Sequence, residues 1–232
     1  FFFFCHFQYF PVTASNACGT SAASTTGNVT PTTTPATPGT ITGSSSVCTS
    51  ATGVTYFISA VSGATSYTWT VPAGASIASG QGTTSITITF ASTSGNVSVT
   101  ASNACGTSAA QTKAVTVNAL PQGSLSGNTI CSGGTGQFTF TSTSGTGPFS
   151  LIISGVTYYG CVSGPPFNAR PCPSCPTGYS LAPITDANTC VRTSGITGAS
   201  ATITVRALPQ GSLSGNTMCS GGTGQLTFTS TS

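Results

Sequence analysis

Ten cysteines, one histidine and one acid make up most of the reactive side chains of this 232-residue chain. Cysteines form disulfides in oxidising compartments or bind zinc as thiolates. General acid–base catalysis by two carboxylates needs two acids, but Asp186 is the single one. A Ser–His–Asp relay would need His6, which lies in an aromatic N-terminal segment. We therefore expect a chain that is not an enzyme and has no cofactor.

The scarcity of charge excludes further classes of function. Charged residues are 2% of the chain and the net charge is +3, whereas ordinary domains contain about 25% charged residues. Such a chain has no cationic stripe for nucleic acid, and one carboxylate is too few for a calcium site. The apolar residues alternate with Ser and Thr, so no run approaches the roughly 18 residues of a membrane-spanning helix. The basic residues are Lys113, Arg170, Arg192 and Arg206.

Two segments recur within the chain and indicate tandem repeats. Val12 to Ala23 recurs as Val99 to Ala110, with the sequence VTASNACGTSAA in both copies. Ala119 to Ser144 recurs as residues 207–232, with two substitutions: Ile130 becomes Met218 and Phe138 becomes Leu226. The chain therefore reads as an excerpt that begins inside one repeat and stops inside another.

Strict alternation of apolar and hydroxyl residues predicts β-strands with one buried face. We find no helical period, and about seven short strands per repeat is the spacing of a β-sandwich. Tyr67 and Trp69 alternate with threonines, and both are expected in the core. The other alternating apolar positions include Ile86, Ile88, Phe90, Val97, Val99, Ala101, Phe138, Phe140, Ile203 and Val205.

These patterns predict five segments. Residues 1–29 end one repeat, with 1–10 departing from the pattern, and 30–38 form a Thr/Pro linker. Residues 39–118 and 119–206 form two complete sandwiches, and 207–232 open another. Prolines stiffen the linker and the short joints, so we expect a rod of tandem domains.

The cysteine positions predict one disulfide in each complete sandwich. Cys48 and Cys105 are 57 residues apart, and Cys131 and Cys190 are 59 apart. In each pair one cysteine comes early and the other precedes the last strand, as in a bridge between two sheets. Closing such a loop stabilises by about 4 kcal/mol. The alternative is that all four are buried thiols packed as small apolar groups.

The remaining cysteines fall outside this scheme in different ways. Cys18 and Cys219 repeat two of the paired positions, so their disulfide partners are expected outside this fragment. Cys161, Cys172 and Cys175 include one CxxC motif, which leaves open a zinc site, an extra local disulfide, or errors in the residue identities of this stretch. The state of Cys5, in the aromatic segment, is not predicted.

The stretch from Val61 to Pro72 (VSGATSYTWTVP), followed by VSVTASNACG from Val97, resembles the PKD-like repeats of large Bacteroidota surface proteins. Residues 119–206 resemble the immunoglobulin-like repeats that accompany them. Trp69 is placed to pack on the predicted bridge, as the core tryptophan does in immunoglobulin domains. The resemblance implies type IX secretion, as in gliding-motility adhesins, and no catalytic residues.

We therefore expect an extracellular, cell-surface protein whose partners are the neighbouring repeats of its own polypeptide, other surface proteins or glycans. The main hypothesis is a stalk or filament that presents a distal adhesive region. The alternative is glycan-binding or accessory repeats of a large secreted hydrolase. Tyr158 and Tyr159 are the best aromatic candidates for a sugar site, although two adjacent residues of a strand also alternate between core and solvent.

Overall fold

The computed structural model describes residues 15–20, 33–170 and 177–230. His6, Cys5, Cys172 and Cys175 lie outside the described residues, as does the aromatic segment 1–10. The chain divides into two compact units, Phe1–Val117 and Asn118–Ser232. The described residues form strands and no helix, which confirms the predicted all-β sandwich fold.

The first unit contains a small hairpin and a two-sheet sandwich, which we call the first sandwich. One sheet has the order β3-β10-β8-β5, with β9 beside β8, and the other has the order β4-β7-β6. β1 and β2 pair with each other. The strands are β1 (Ser15–Asn16), β2 (Gly19–Thr20), β3 (Ser46–Cys48), β4 (Val54–Phe57), β5 (Ser66–Thr70), β6 (Ser76–Ser79), β7 (Ser85–Thr89), β8 (Gly95–Asn103), β9 (Gly106–Thr107) and β10 (Gln111–Asn118).

The second unit contains the second sandwich and another hairpin. Its sheets have the orders β11-β13-β16 and β12-β19-β17-β14-β15, with β18 beside β17, and β20 pairs with β21. β12 runs parallel to β19, while the other pairs are antiparallel. The strands are β11 (Gln122–Gly127), β12 (Thr129–Cys131), β13 (Gln137–Ser144), β14 (Phe149–Ile153), β15 (Val156–Cys161), β16 (Pro166–Asn168), β17 (Thr177–Thr185), β18 (Val191–Arg192), β19 (Ser200–Arg206), β20 (Gly211–Gly215) and β21 (Leu226–Ser230).

Alternation along the strands builds both cores, as the sequence predicts. In β5 the side chains of Tyr67 and Trp69 are buried while the threonines between and after them are exposed. The indole Nε1 of Trp69 donates a hydrogen bond to Thr83 O at 2.8 Å. Gln81 exchanges two side-chain hydrogen bonds with the backbone of Trp69, each 3.1 Å long. The amide side chain thus takes the place of a neighbouring strand at this edge of the sheet.

The second core is built around an aromatic cluster. Phe138 is fully buried and its ring meets those of Tyr158, Phe167 and Tyr179 at centroid distances of 6.3, 5.9 and 4.7 Å. Phe140 packs edge-on against Phe149 at 5.3 Å. Such contacts add about 0.5–1.5 kcal/mol per pair to the burial of the rings. In the described residues no helix is long and apolar enough to span a membrane.

Tyr56 couples the stability of the first sandwich to pH. Its side chain is fully buried, and its hydroxyl donates a hydrogen bond to Ser44 O at 2.7 Å. Burial raises the pKa of Tyr56 above its ordinary value of 10.0, because the charged phenolate would be desolvated. The folded state therefore keeps this proton at pH values where the unfolded state has released it.

The stabilisation from Tyr56 is present below pH 10.0 and is lost as the pH rises through the folded pKa. At pH 8 we expect Tyr56→Phe to lower the free energy of unfolding by about 1 kcal/mol, through the lost hydrogen bond. Above pH 10 the wild type should lose up to about 1.4 kcal/mol per pH unit relative to the variant. Denaturant unfolding of both proteins from pH 8 to 11 tests this, and a constant difference would contradict it.

Candidate functional site

The structure overturns both predicted disulfide pairs. Cys48 and Cys190 are each in a disulfide, but Cys105 and Cys131, their predicted partners, are both thiols. The predicted bridges Cys48–Cys105 and Cys131–Cys190 are therefore wrong.

The first pair fails because both cysteines belong to the same sheet. Strand β10 lies between β3, which ends at Cys48, and β8. Two strand spacings amount to about 9.5 Å, beyond the roughly 7 Å between Cα atoms that a disulfide tolerates. In addition, Ser45 O accepts a hydrogen bond from Thr116 N, so β3 begins near the Gly95 end of β8. Cys105 follows the opposite end of that strand, about 27 Å away.

The second pair fails for the same reason. Cys131 is opposite Arg206 in the β12–β19 pair, which lies beyond the Thr177 end of β17 because Thr177 is opposite Ile203. Cys190 precedes β18, which pairs with the Thr185 end of β17. Eight residues of strand separate the two ends, or about 27 Å. Sequence spacing alone placed each pair between sheets, whereas the topology places both members along one sheet.

The other cysteines have distinct environments. Cys18 and Cys219 are exposed thiols, and their pairing with cysteines outside residues 1–232 stays a prediction. Cys161 is a buried thiol opposite Phe149 in the β14–β15 pair, so it does not form the extra local disulfide. Burial raises the pKa of the Cys161 thiol. In the described part of the chain, no group of three or more Cys, His, Asp or Glu side chains could hold a metal ion.

The single acid is part of the structure rather than of a reactive site. Asp186 is 5% exposed, and its carboxylate accepts three backbone hydrogen bonds. They come from Thr146 N at 3.1 Å, Asn188 N at 3.0 Å and Cys190 N at 2.9 Å. The carboxylate therefore joins the β17–β18 turn to the loop that precedes β14.

A cleft of about 340 Å³ lies beside β15 and β16, lined by Thr157, Tyr158, Tyr159, Phe167, Asn168 and Arg170. Tyr158 packs against the core, with its ring 5.2 Å from that of Phe167. Tyr159 is 83% exposed. Arg170 N donates to the hydroxyl of Tyr158 at 2.8 Å. The size of the cleft is at the lower end of the range for small-molecule sites.

The sequence indicated only the two tyrosines of this cleft. Asn168 and Arg170 follow them by nine residues or more and belong to no motif, so no local signal connects them with β15. They reach the cleft because β16 pairs with β13 in one sheet while β15 closes the edge of the other. The cleft forms because the two sheets pack on each other, and the periodicity of the sequence does not specify that packing.

The comparison with known families covers the first sandwich. Residues 34–116 match the model of the PKD-like domain. The predicted relation to PKD-like repeats is thereby confirmed for these residues. PKD-like domains and disulfides are typical of extracellular proteins. No curated protein matches the chain.

Among solved structures, the chain is similar to several tandem arrays. With the N-terminal eight Ig domains of DSCAM isoform 1.30.30 it shares 12% identity and a TM-score of 0.38, covering 69% of this chain and 23% of that one. With the I9–I11 tandem of titin it shares 12% identity and a TM-score of 0.33, covering 77% of this chain and 66% of that one. With the FN1–FN3 domains of chicken CNTN1 it shares 13% identity and a TM-score of 0.27, covering 81% of this chain and 73% of that one. At TM-scores below 0.5 these likenesses carry no argument about function.

The thiol pattern predicts which cysteines an alkylating reagent reaches in the native protein. Iodoacetamide should modify Cys18, Cys131 and Cys219, which are exposed. Cys161 should react far more slowly, because it is buried and its raised pKa lowers the thiolate fraction. Cys48 and Cys190 should react only after reduction. Peptide mapping by mass spectrometry gives the result, and a native Cys131–Cys190 cross-linked peptide would contradict it.

Removing the carboxylate of Asp186 should destabilise the second sandwich. Asp186→Ala leaves three backbone N–H groups without their acceptor, of which that of Cys190 is buried, and we expect a loss of about 2 kcal/mol in the free energy of unfolding. Asp186→Asn is the matched control: it retains an acceptor for Asn188 and Cys190 but turns a second donor towards Thr146 N. Its loss should be smaller. Equal stability of the alanine variant and the wild type in denaturant unfolding would refute this role.

Proposed function

We propose that this chain is a structural stalk or filament repeat of a large secreted bacterial cell-surface adhesin, which holds a distal adhesive region away from the cell. The gliding-motility adhesins of Bacteroidota, exported by the type IX route, are the group that the sequence resemblance suggests. One observation carries the proposal: two separate hairpins recur along the chain with the same register and the same hydrogen bonds. The PKD-like match supports it.

In the first recurrence, the strand pair β8–β9 repeats the pair β1–β2. Ser15 and Asn16 are opposite Thr20 and Gly19, and the same residue types are opposite each other 87 residues later. In both copies the cysteine amide donates to the asparagine Oδ1 at 2.9 Å, and the serine and threonine hydroxyls are 2.9 Å apart. The same local sequence thus forms the same turn twice, as tandem copies of one domain require.

In the second recurrence, the strand pair β20–β21 repeats the pair β11–β13. Leu125 is opposite Phe140, and Leu213 is opposite Phe228. Gln137 N donates to Asn128 Oδ1 at 2.8 Å, and the equivalent bond between residues 225 and 216 is 2.7 Å long. The second hairpin therefore repeats the geometry of the first at an offset of 88 residues.

The two copies differ in what covers them. Leu125 and Phe140 are buried in the core of the second sandwich, whereas Leu213 and Phe228 are 65% and 68% exposed. Leu226 is likewise 75% exposed, although its counterpart Phe138 is fully buried. An exposed apolar face on a hairpin whose other residues are Gly, Ser and Thr marks a surface that other residues normally cover. This supports the proposal that residues 207–232 belong to a further sandwich of the array.

A second candidate function is glycan binding by the repeats themselves. The cleft beside β15 favours it, because an exposed tyrosine and polar side chains line the same depression. Neither candidate assigns a catalytic step to the chain. A stalk and a lateral binding site are compatible, since they use different surfaces.

The array is tested by lengthening the chain. A second copy of residues 145–206 placed after Ser232 would supply the strands that cover β11–β13 in the first copy. We expect β20–β21 to become buried and its backbone amides to exchange as slowly as those of β11–β13. Hydrogen exchange measured by mass spectrometry gives the comparison with the chain of 232 residues.

The matched control is the lengthened chain with Phe228→Ser, which removes the largest apolar side chain of the hairpin. It should lose the protection of β20–β21 while leaving the exchange of residues 34–206 unchanged. If the lengthened wild-type chain shows no new protection, the hairpin does not open a further domain, and the array proposal fails.

A further inference from the structure

We propose that the cleft beside β15 binds a saccharide that carries a carboxylate, such as a uronic acid residue of a polysaccharide. The inference goes beyond the stalk function, because it makes the repeat adhesive along its side, and it rests on the second candidate function, glycan binding at the same cleft. It depends on four features of the cleft: a bulge, a fixed aromatic floor, an exposed tyrosine and a cation with no acid available to it.

A β-bulge lies beside two adjacent tyrosines that line the same cleft. Along a regular strand Tyr158 and Tyr159 would point to opposite faces of the sheet. In the β14–β15 pair, Leu151 is opposite Tyr158 but Phe149 is opposite Cys161, so β15 contains one extra residue. Gly160 follows with φ of +68°, a conformation that favours glycine. Bulges of this kind re-aim side chains and are frequent beside functional sites.

The floor of the cleft is held in place before any ligand arrives. The Tyr158 ring packs against Phe138 and Phe167, at centroid distances of 6.3 and 5.2 Å. Its hydroxyl accepts from Arg170 N at 2.8 Å and donates to Arg170 O at 3.3 Å. A rigid aromatic surface loses little conformational entropy on binding, which favours affinity.

Tyr159 supplies an exposed ring beside this floor. It is 83% exposed, the highest value among the large apolar side chains of the described residues. It lies on β15, which is an edge strand of its sheet. A pyranose ring has an apolar face of C–H groups, and such groups are attracted to the negative face of an aromatic ring. The hydroxyl edge of the sugar would then meet Thr157 and Asn168 on the rim.

Arg170 selects for a negative charge. The chain has one acidic side chain, Asp186, which is buried and accepts hydrogen bonds from three backbone amides. No side-chain carboxylate of this chain is thus available to the exposed guanidinium of Arg170. A guanidinium matches a carboxylate through two parallel hydrogen bonds. The complementary acid would therefore come from the ligand.

These features favour an acidic sugar over the other ligands that such a cleft could bind. A neutral sugar would leave the charge of Arg170 unmatched. An acidic peptide would need several cations along its length. Among the described residues Arg170 is the one cationic side chain that lines the cleft, and the chain has four Lys and Arg residues in all. A single sugar carboxylate beside an apolar ring face matches one cation beside one exposed ring.

The test is calorimetric titration of the chain with trigalacturonic acid, with its methyl ester as a ligand of the same shape without the charge. Arg170→Gln keeps the backbone groups that hold Tyr158, and should weaken binding of the acid at least about tenfold while leaving the ester unaffected. Tyr159→Ala should weaken binding of the acid by a similar factor, and Tyr159→Phe should retain it. Arg206→Gln is the control, because this exposed arginine does not line the cleft.

Binding of the acid should also weaken as salt rises, and this dependence should diminish in Arg170→Gln. Equal binding of acid and ester, unchanged binding by Tyr159→Ala, or no binding of the acid would each overturn the proposal. Equal binding of hexaglutamate would reassign the cleft to acidic peptides and overturn it as well. Both substituted side chains are exposed, so an unchanged thermal midpoint shows that the variants are folded.

Discussion

The scarcity of charged side chains constrains every polar contact in this protein. Solubility and specificity have to come from hydroxyls, amides and the backbone, because one acid and four bases cannot form a network of ion pairs. The strands meet this constraint with one repeated device, an apolar face turned inward and a Ser/Thr face turned to water. In the described residues every buried side-chain nitrogen and oxygen has a hydrogen-bond partner. In that part of the chain the buried polar side-chain atoms are thus compensated for their loss of contact with water.

At the turns, amide side chains form the hydrogen bonds that charged side chains often form in other proteins. Asn103 accepts from the amide of Cys105 and donates to Thr33 O and Gly63 O. Asn128 accepts from Gln137 N, and Gln81 pairs with the backbone of Trp69. The bonds of Asn103 with Cys105, of Asn128 with Gln137 and of Gln81 with Trp69 connect residues that are close in sequence. The bonds of Asn103 to Thr33 and Gly63 span 70 and 40 residues, so the same side chain also fixes a turn to distant backbone.

The two proposed functions, a stalk and a ligand-binding surface, place different demands on the edges of the sheets. A stalk needs edges that do not pair with other chains, and without charged side chains the bulge in β15 serves that purpose by interrupting the ladder. Tyr158 comes directly before this bulge and Tyr159 lies within it, and both line the cleft. One irregularity thus lies at the edge of the sandwich and beside the surface at which we propose that a ligand binds. The β20–β21 face is different, because it exposes Leu213 and Phe228, whose counterparts Leu125 and Phe140 in β11–β13 are buried.

Strand identity and core membership follow from the sequence by itself, because alternation is a local property of the chain. Tyr67, Trp69, Phe138 and Phe140 are buried as their alternation with threonine predicts. The repeat offsets likewise foretell that the hairpins recur. Which strands share a sheet is decided over long separations, and only the tertiary structure determines it. For that reason spacing suggested a Cys48–Cys105 bridge that the topology does not allow, and for the same reason Asn168 and Arg170 could not be connected to Tyr159 before the two sheets were seen together.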